Sequence, residues 1–325
     1  MDKSKIIYIL KRLGLMLVTL FIIVTICFIL VRLLPMTPPE GQNIAQTEAI
    51  KARWDALGYN KPILVQYGIY LKNIFTKFDF GTSWKISPLK DASELLFSRL
   101  APTVLVNVYS LLFSVPIGIL LGIYAAIRKN KWQDHVVSTL VMLFVSIPSY
   151  IYAFLIQYVL YYKLKLFPLV VYSLSDGGGS YFTFQMFYSM IPPILALSFG
   201  EIAGLTRFVR AELTETLTSD YMLLARTKGL KKSQATIRHA LRNAMVPILP
   251  MIIGDFLSIL GGSMIIEQIF SIPGVGQLYL MSIQQRDFDV FMMDTVFYTF
   301  IGLLAGIVID ISYGFIDPRI RMGEK

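Results

Sequence analysis

The chain has 325 residues, of which 55% are hydrophobic and only 16% are charged, against roughly 25% charged residues in an average soluble domain. The formal net charge is +9. The basic residues flank long apolar blocks and are not interleaved with exposed aromatic residues, so membrane orientation is favoured over nucleic-acid binding. Two histidines and one cysteine exclude a metal-ligand cluster at plausible spacing.

The apolar blocks predict an all-α polytopic membrane protein with six transmembrane helices, because each block approaches or exceeds the about 20 residues that a spanning helix needs. The last three blocks are interrupted by Glu201, Asp255 and Asp310. Basic residues precede the first block as in a signal peptide, but the block is too long and lacks a cleavage site, which indicates a retained helix. The predicted spans are residues 13–34, 103–127, 136–162, 184–206, 244–266 and 295–315.

The positive-inside rule predicts that both termini lie in the cytoplasm. With that orientation, the short cytoplasmic segments 1–12, 128–134, 207–243 and 316–325 carry four, three, eight and three basic residues. The short segments on the opposite side carry only four, which are Arg32, Lys163, Lys165 and Arg286.

Three external segments follow from this orientation. Residues 35–102 contain many aromatic side chains and are too apolar for a solvated linker, so we expect a small packed cap of short helices. Residues 163–183 and 267–294 form the other two external loops. Within the spans, glycines four residues apart (118/122, 200/204 and 302/306) predict close helix packing, either within the chain or against a partner subunit.

The segment 207–243 predicts two short helices that lie along the membrane. Ser219 or Asp220 can cap the first helix, Gly229 can end it, and Ser233 can cap the second. Three apolar residues in the first helix, Leu223, Leu224 and Ala225, are surrounded by six basic residues. This pattern fits an interfacial helix on acidic lipid headgroups or a knob that another protein binds.

These residues resemble the "EAA" loop of importer permeases in the ATP-binding cassette family. Its pattern is matched by Ala225, by the glycine four positions later, and by the run R-H-A-L-R-N at 238–243. The amino-acid sequence of this stretch resembles that of the B-type permease of the dipeptide and oligopeptide branch. The resemblance covers nearly the whole chain, in order and with matching spacing. The other matching stretches are 58–62, 66–67, 79–83, 99–103, 262–263, 267, 269–276, 286–287, 310 and 317–321.

The resemblance implies a permease subunit of an ATP-driven, binding-protein-dependent peptide importer in the bacterial inner membrane. A homologous second permease would complete the pathway, two cytoplasmic ATPase subunits would bind ATP and Mg, and an extracytoplasmic protein would deliver the peptide. The chain has no Gly-x-x-x-x-Gly-Lys-Ser/Thr string, so we expect no catalytic residue and no cofactor in the chain itself. The ATPase-coupling residues implied are Asp220, Ala225, Lys228, Gly229, Leu230, His239, Arg242 and Asn243.

The small size of Ala225 and Gly229 is expected to let the first helix seat in an ATPase groove. Leu223 and Leu224 precede Ala225 where the family pattern has a glutamate, which puts any role of that glutamate in doubt here. Candidate pathway-lining residues are Glu201, Asp255 and Glu267. The first two could instead pair structurally, for example with Arg207, whereas Asp310 is expected to act as a structural cap because acids in hydrocarbon must face protein or water.

Other functions remain open from the sequence. A permease of the same family for nickel chelates or short glycans would carry the same coupling motifs. An ion-driven secondary transporter would need no ATPase but should show inverted repeats, which are not visible. A membrane enzyme is disfavoured because no Ser/His/Asp or paired-acid arrangement stands out on the external side.

Overall fold

The computed structural model describes residues 3–36, 41 and 43–316, and the basic residues of the tail 317–325 lie outside the described residues. Its helices are α1 (Lys3–Arg32), α2 (Ile44–Leu57), α3 (Ile63–Lys77), α4 (Ala92–Ser98), α5 (Leu100–Ile127), α6 (Trp132–Ser146), α7 (Ser149–Gln157), α8 (Phe184–Leu217), α9 (Asp220–Thr227), α10 (Lys232–Ala235), α11 (Arg242–Ser258), α12 (Met264–Ile269), α13 (Val275–Gln284) and α14 (Phe288–Ile316). The turns Tyr158–Lys163 and Thr236–Leu241 are π-helical, and Ile259–Gly261 is a 3₁₀ turn.

The predicted all-α membrane fold is confirmed. Within the described residues, five helical segments are long and apolar enough to cross a bilayer, and there are six if α6 and α7 with its π turn, which meet at 97°, are counted as one span. The bend lies at Ile147, whose backbone is extended, and at Pro148. Proline has no N–H to donate and disfavours a helical residue before it, so the uncharged third block is a broken helix.

Several helices differ in length from the apolar blocks that predicted them, and α1 already begins at Lys3, ten residues before the first predicted span. α8 continues to Leu217 because its polar extension still buries Val209 and Leu213. The helix of the fifth block ends at Ser258 rather than at residue 266, because Gly262 takes a positive φ of 60° and separates α12. α14 begins at Phe288, since its polar first turns are buried in the cap.

α5 and α8 pack closely along one of the predicted small-residue pairs. A β-carbon at Gly118 would lie 2.9 Å from Leu205 Cβ, and one at Gly122 would lie 2.6 Å from Val209 Cβ. The other two pairs, at 200/204 on α8 and 302/306 on α14, have no heavy atom within 4 Å of a β-carbon. The first pair therefore serves packing within the chain, and the other two leave open helix faces.

The predicted cap is present at the end of the bundle opposite α9, which we call the cap end. Trp54 stacks on Tyr59 with ring centroids 3.9 Å apart, and Trp84 meets both rings edge-on. Arg32 at the end of α1 forms a buried ion pair of 3.1 Å with Asp289 of α14. Asp289 also accepts hydrogen bonds from the Thr82 amide at 3.2 Å and from Trp84 Nε1 at 3.1 Å, so the cap is fastened to the first and last long helices.

Candidate functional site

The connecting segment 218–241 folds as the sequence predicts, with one shift. Ser219 is the N-cap residue of α9, and Gly229 follows its C-terminus with φ of +88°. The amide of Gly229 donates to Arg226 O at 3.0 Å. α10 is capped at Lys231 rather than at Ser233, because the Lys231 amide donates to Gln234 Oε1 at 3.2 Å.

One face of α9 points into the chain. Met222 and Ala225 pack on Ala235, Ala240 and Ala244 of the following helical turns, together with Ala126 of α5 and Leu213 of α8. Ala225 is only 6% exposed. The prediction that Ala225 contributes to the outer surface of α9 is therefore wrong: its small size is required by packing between helices of the same chain.

The opposite face of α9 is exposed and partly apolar. Leu223 is 65% exposed and Leu224 is 55% exposed, and Asp220 and Thr227 share this face. We call these four residues the outer face of α9. Gly229 has no heavy atom within 4 Å of a β-carbon, so its positive φ, rather than a lack of space, favours glycine there.

The remaining predicted coupling residues follow α9 in the chain. Leu230 is half-buried against the alanine cluster. The others are exposed at the end of the bundle that carries α9, which we call the loop end; they are Lys228, His239, Arg242 and Asn243. The segment thus presents two large aliphatic side chains on a helix whose inner face is packed, followed by the exposed cations Lys228 and Arg242, which we call the basic rim.

Two of the three predicted pathway acids lie close together, and the third lies elsewhere. Glu201 of α8 and Asp255 of α11 are half-buried and lie close to each other, and Asp255 Oδ2 finds no hydrogen-bond partner among the described residues. No basic side chain among the described residues pairs with either, and the guanidinium of Arg207 instead lies 5.6 Å from the ring centroid of Phe208.

Glu267 is a structural residue. It is 2% exposed, and its carboxylate accepts hydrogen bonds from Thr103 Oγ1 and from the Gln277 amide, both at 2.8 Å. Burial raises the pKa of Glu267, and these hydrogen bonds oppose the rise. The prediction that Glu267 lines the pathway is wrong, because its carboxylate fastens the α12–α13 turn to the start of α5.

Comparison with known proteins assigns the family. The model of a family described as binding-protein-dependent transport system inner membrane component matches residues 118–322, and the model of its N-terminal region matches residues 5–88. This chain belongs to that family. It is a permease subunit of binding-protein-dependent importers, and its resemblance to the dipeptide and oligopeptide branch is confirmed.

Relatives of this permease match over nearly their whole length. The dipeptide transport system permease protein DppB of Lactococcus lactis is 39% identical over 97% of this chain and 99% of its own. DppB of Bacillus subtilis is 34% identical over 98% and 99%. The oligopeptide transport system permease protein OppB of Haemophilus influenzae is 31% identical over 97% and 99%.

The sequence analysis did not identify the partners of the acids that join helices of the permease. Asp134 of α6 forms a bidentate pair with Arg210 of α8, at 2.5 and 2.8 Å, and also accepts from the Asn130 amide. Asp310, expected to act as a cap, pairs with Arg12 of α1 at 3.1 Å. These partners are 76 and 298 positions away in the chain, so no local pattern reveals them.

Asp287 is a further buried carboxylate that the sequence analysis missed, and it joins two of the stretches that carried the family resemblance. The Asp287 carboxylate accepts hydrogen bonds from Ser83 Oγ and from the amides of Trp84, Lys85 and Ile86, at 2.7 to 3.1 Å. The motif at 79–83 and the pair at 286–287 therefore form one buried contact. It fixes the cap to the first turn of α14.

Proposed function

We propose that this permease forms one half of the translocation pathway of an ATP-driven importer of dipeptides or oligopeptides in the bacterial inner membrane. The observation that supports a peptide cargo is the 39% identity to a dipeptide permease over 97% of the chain. Glutathione transport permeases of Salmonella, 32% identical over 97% of the chain, support a peptide cargo as well, because glutathione is a tripeptide.

The partner subunits follow from the same assignment. A homologous second permease completes the pathway, and two separate ATPases bind ATP and Mg, since this chain has no phosphate-binding loop. An extracytoplasmic binding protein delivers the peptide at the cap end. Both termini and the loop end then lie in the cytoplasm, in agreement with the excess of basic residues there.

The outer face of α9 is the surface on which an ATPase docks. Leu223 and Leu224 fill an apolar groove of the ATPase, and the basic rim faces its acidic residues. Because α9 packs through its inner face on α5, α8 and the turns that lead into α11, a displacement of α9 displaces these helices too. Closure of the ATPases upon ATP binding then shifts the permease between inward-facing and outward-facing states.

Glu201 and Asp255 are the best candidates for the pathway lining. They lie on two different helices and are half-buried, and Glu201 is flanked on α8 by Gly200 and Gly204, which have no heavy atom within 4 Å of a β-carbon. An acid within a membrane helix is stable only where it faces protein or water. The second permease and the water-filled pathway supply these two surroundings.

Uptake into proteoliposomes tests the function. The importer is reconstituted with its partner subunits, and ATP-dependent uptake of a labelled dipeptide is measured. We expect an unlabelled oligopeptide to compete and a nickel chelate or a disaccharide not to compete. Competition only by the chelate or the sugar would overturn the peptide assignment, and uptake without the ATPases would indicate an ion-driven transporter.

Coupling is tested in the same assay with Leu223→Asp/Leu224→Asp, for which uptake should be lost because two charges enter an apolar contact. The matched control is Leu223→Met/Leu224→Met, which keeps the apolar surface and should keep uptake. Full uptake by the aspartate variant at normal expression would refute docking on this face.

A further inference from the structure

A cavity of about 860 Å³ lies beside α9 at the loop end, on the side away from its outer face. One wall is formed by the end of α5 and the turn into α6. The other wall is formed by α9 and α10, and the end of α8 forms the floor. Three separate parts of the permease therefore meet around one space, and no part of the coupling role proposed above uses it.

The charges around this cavity have a single sign. Lys129 and Lys131 lie on the first wall, and Arg226 and Lys232 lie on the second. No carboxylate is among the lining residues that the structure describes, and none of these four cations forms an ion pair within the described ranges. These four side chains are exposed to solvent, which screens their mutual repulsion, and four like charges around one cavity favour an anion there.

The floor of the cavity offers a hydrogen-bond donor without a partner. Thr214 lines it, and its Oγ1 is buried and finds no hydrogen-bond partner among the described residues. A buried hydroxyl is stable when it is hydrogen-bonded. Rotation of the Thr214 side chain toward the cavity gives this hydroxyl a phosphate oxygen as acceptor, and hydrogen bonds to ionised groups are about twice as strong as neutral ones.

The mouth of the cavity is apolar. Ile127, the last residue of α5, and Ile237 both line the cavity and both expose large aliphatic side chains. Trp132, which follows Lys131 at the start of α6, is exposed, and tryptophan is enriched at the boundary between headgroups and hydrocarbon. The ligand that fits both parts is amphipathic, with a phosphate inside and acyl chains at the mouth.

We propose that this cavity binds the phosphate headgroup of an anionic phospholipid from the leaflet at the loop end. The headgroup lies between the α5–α6 turn and α9, and so holds the two walls at a fixed distance. Because Met222 and Arg226 face the cavity and the outer face of α9 points away from it, the lipid and an ATPase occupy different sides of the helix. The assignment does not depend on the cargo.

Lipid binding to the purified full-length permease tests the proposal. The chain is delipidated in detergent, and bound phospholipid is counted by native mass spectrometry at increasing phosphatidylglycerol. Phosphatidylcholine and glycerol 3-phosphate are titrated in parallel. We expect phosphatidylglycerol to bind at one saturable site, and phosphatidylcholine and glycerol 3-phosphate to bind at least tenfold more weakly.

The cavity variant is Lys129→Gln/Lys232→Gln, which removes one cation from each wall. Its affinity for phosphatidylglycerol should fall about 25-fold, since each basic side chain near anionic lipid contributes about fivefold. The matched control, Arg128→Gln/Lys231→Gln, makes the same charge change at exposed neighbours outside the cavity and should bind within about twofold of the native chain, which is within the scatter of surface electrostatic effects.

A third variant, Thr214→Val, keeps the side-chain volume and removes the unpartnered hydroxyl. It should lower lipid affinity without lowering the melting temperature of the delipidated chain. Equal loss of binding in the cavity and control variants would overturn the site, as diffuse surface attraction would then suffice. Glycerol 3-phosphate binding as tightly as phosphatidylglycerol would overturn the lipid in favour of a soluble phosphate.

Discussion

Enlarging Ala225 to leucine tests which way α9 faces. Ala225 is 6% exposed and packs among alanine side chains, so three added heavy atoms have no space. Overpacking of this kind destabilises a protein by about 1 to 3 kcal/mol. At about 2 °C per kcal/mol for a large domain, the melting temperature of the isolated permease should fall by about 2 to 6 °C.

The assay is thermal unfolding of the purified chain in detergent, without any ATPase. Leu224→Ala is the matched control on the outer face of α9, where truncation of an exposed side chain should change the melting temperature by less than about 1 °C, as for most surface substitutions. If Ala225→Leu unfolds at the native temperature and only ATPase binding is lost, then Ala225 faces outward and the inner packing of α9 is refuted.

Three further predictions concern the bundle and the cap. Gly122→Ala should destabilise the isolated chain by about 1 to 3 kcal/mol, because the added β-carbon would lie 2.6 Å from α8. Gly204→Ala, on an open face, should instead stabilise the helix by up to about 1 kcal/mol. Unfolding in detergent distinguishes the two variants, and equal effects would contradict the packing. Asp289→Asn leaves Arg32 buried without its carboxylate and should lower the free energy of unfolding by about 3 kcal/mol or more, measured by urea titration; an unchanged midpoint would refute the pair. Burial raises the pKa of Glu267 above its unfolded value, so the folded state binds the proton more tightly, and stability should fall as pH rises from the ordinary glutamate range through the raised pKa. Melting temperatures of Glu267→Gln, measured between pH 4 and 8, should lack this fall. A pH profile of Glu267→Gln identical to that of the native chain would contradict the prediction.

The sequence was most informative where one local pattern decides the structure. Long apolar blocks predicted the helical membrane fold, and Gly229 predicted the turn after α9 because glycine readily takes a positive φ. The pair at 118/122 predicted close packing, but spacing alone did not say which helix it meets. The α5–α8 contact required the structure.

The sequence was least informative where burial depends on distant partners. Ala225 reads as a surface residue of an amphipathic helix, yet the alanine cluster that covers it comes from α5, α8 and the turns before α11. Glu267 reads as an acid at a span end, and only the folded α12–α13 turn surrounds it with donors. The ends of some helices differ from the prediction for a related reason. Hydropathy identifies only the part of a helix that lies in the hydrocarbon of the membrane, and α8 continues beyond that part.

Photocrosslinking on the two faces of α9 tests the central claim most directly. A photoreactive amino acid is placed either at Leu224, on the outer face, or at Met222, on the inner face, and the assembled importer is irradiated in membranes. We expect the probe at Leu224 to crosslink to an ATPase subunit and the probe at Met222 to react only within the permease. An ATPase crosslink from Met222 with none from Leu224 would contradict the proposed docking of the ATPase on the outer face of α9.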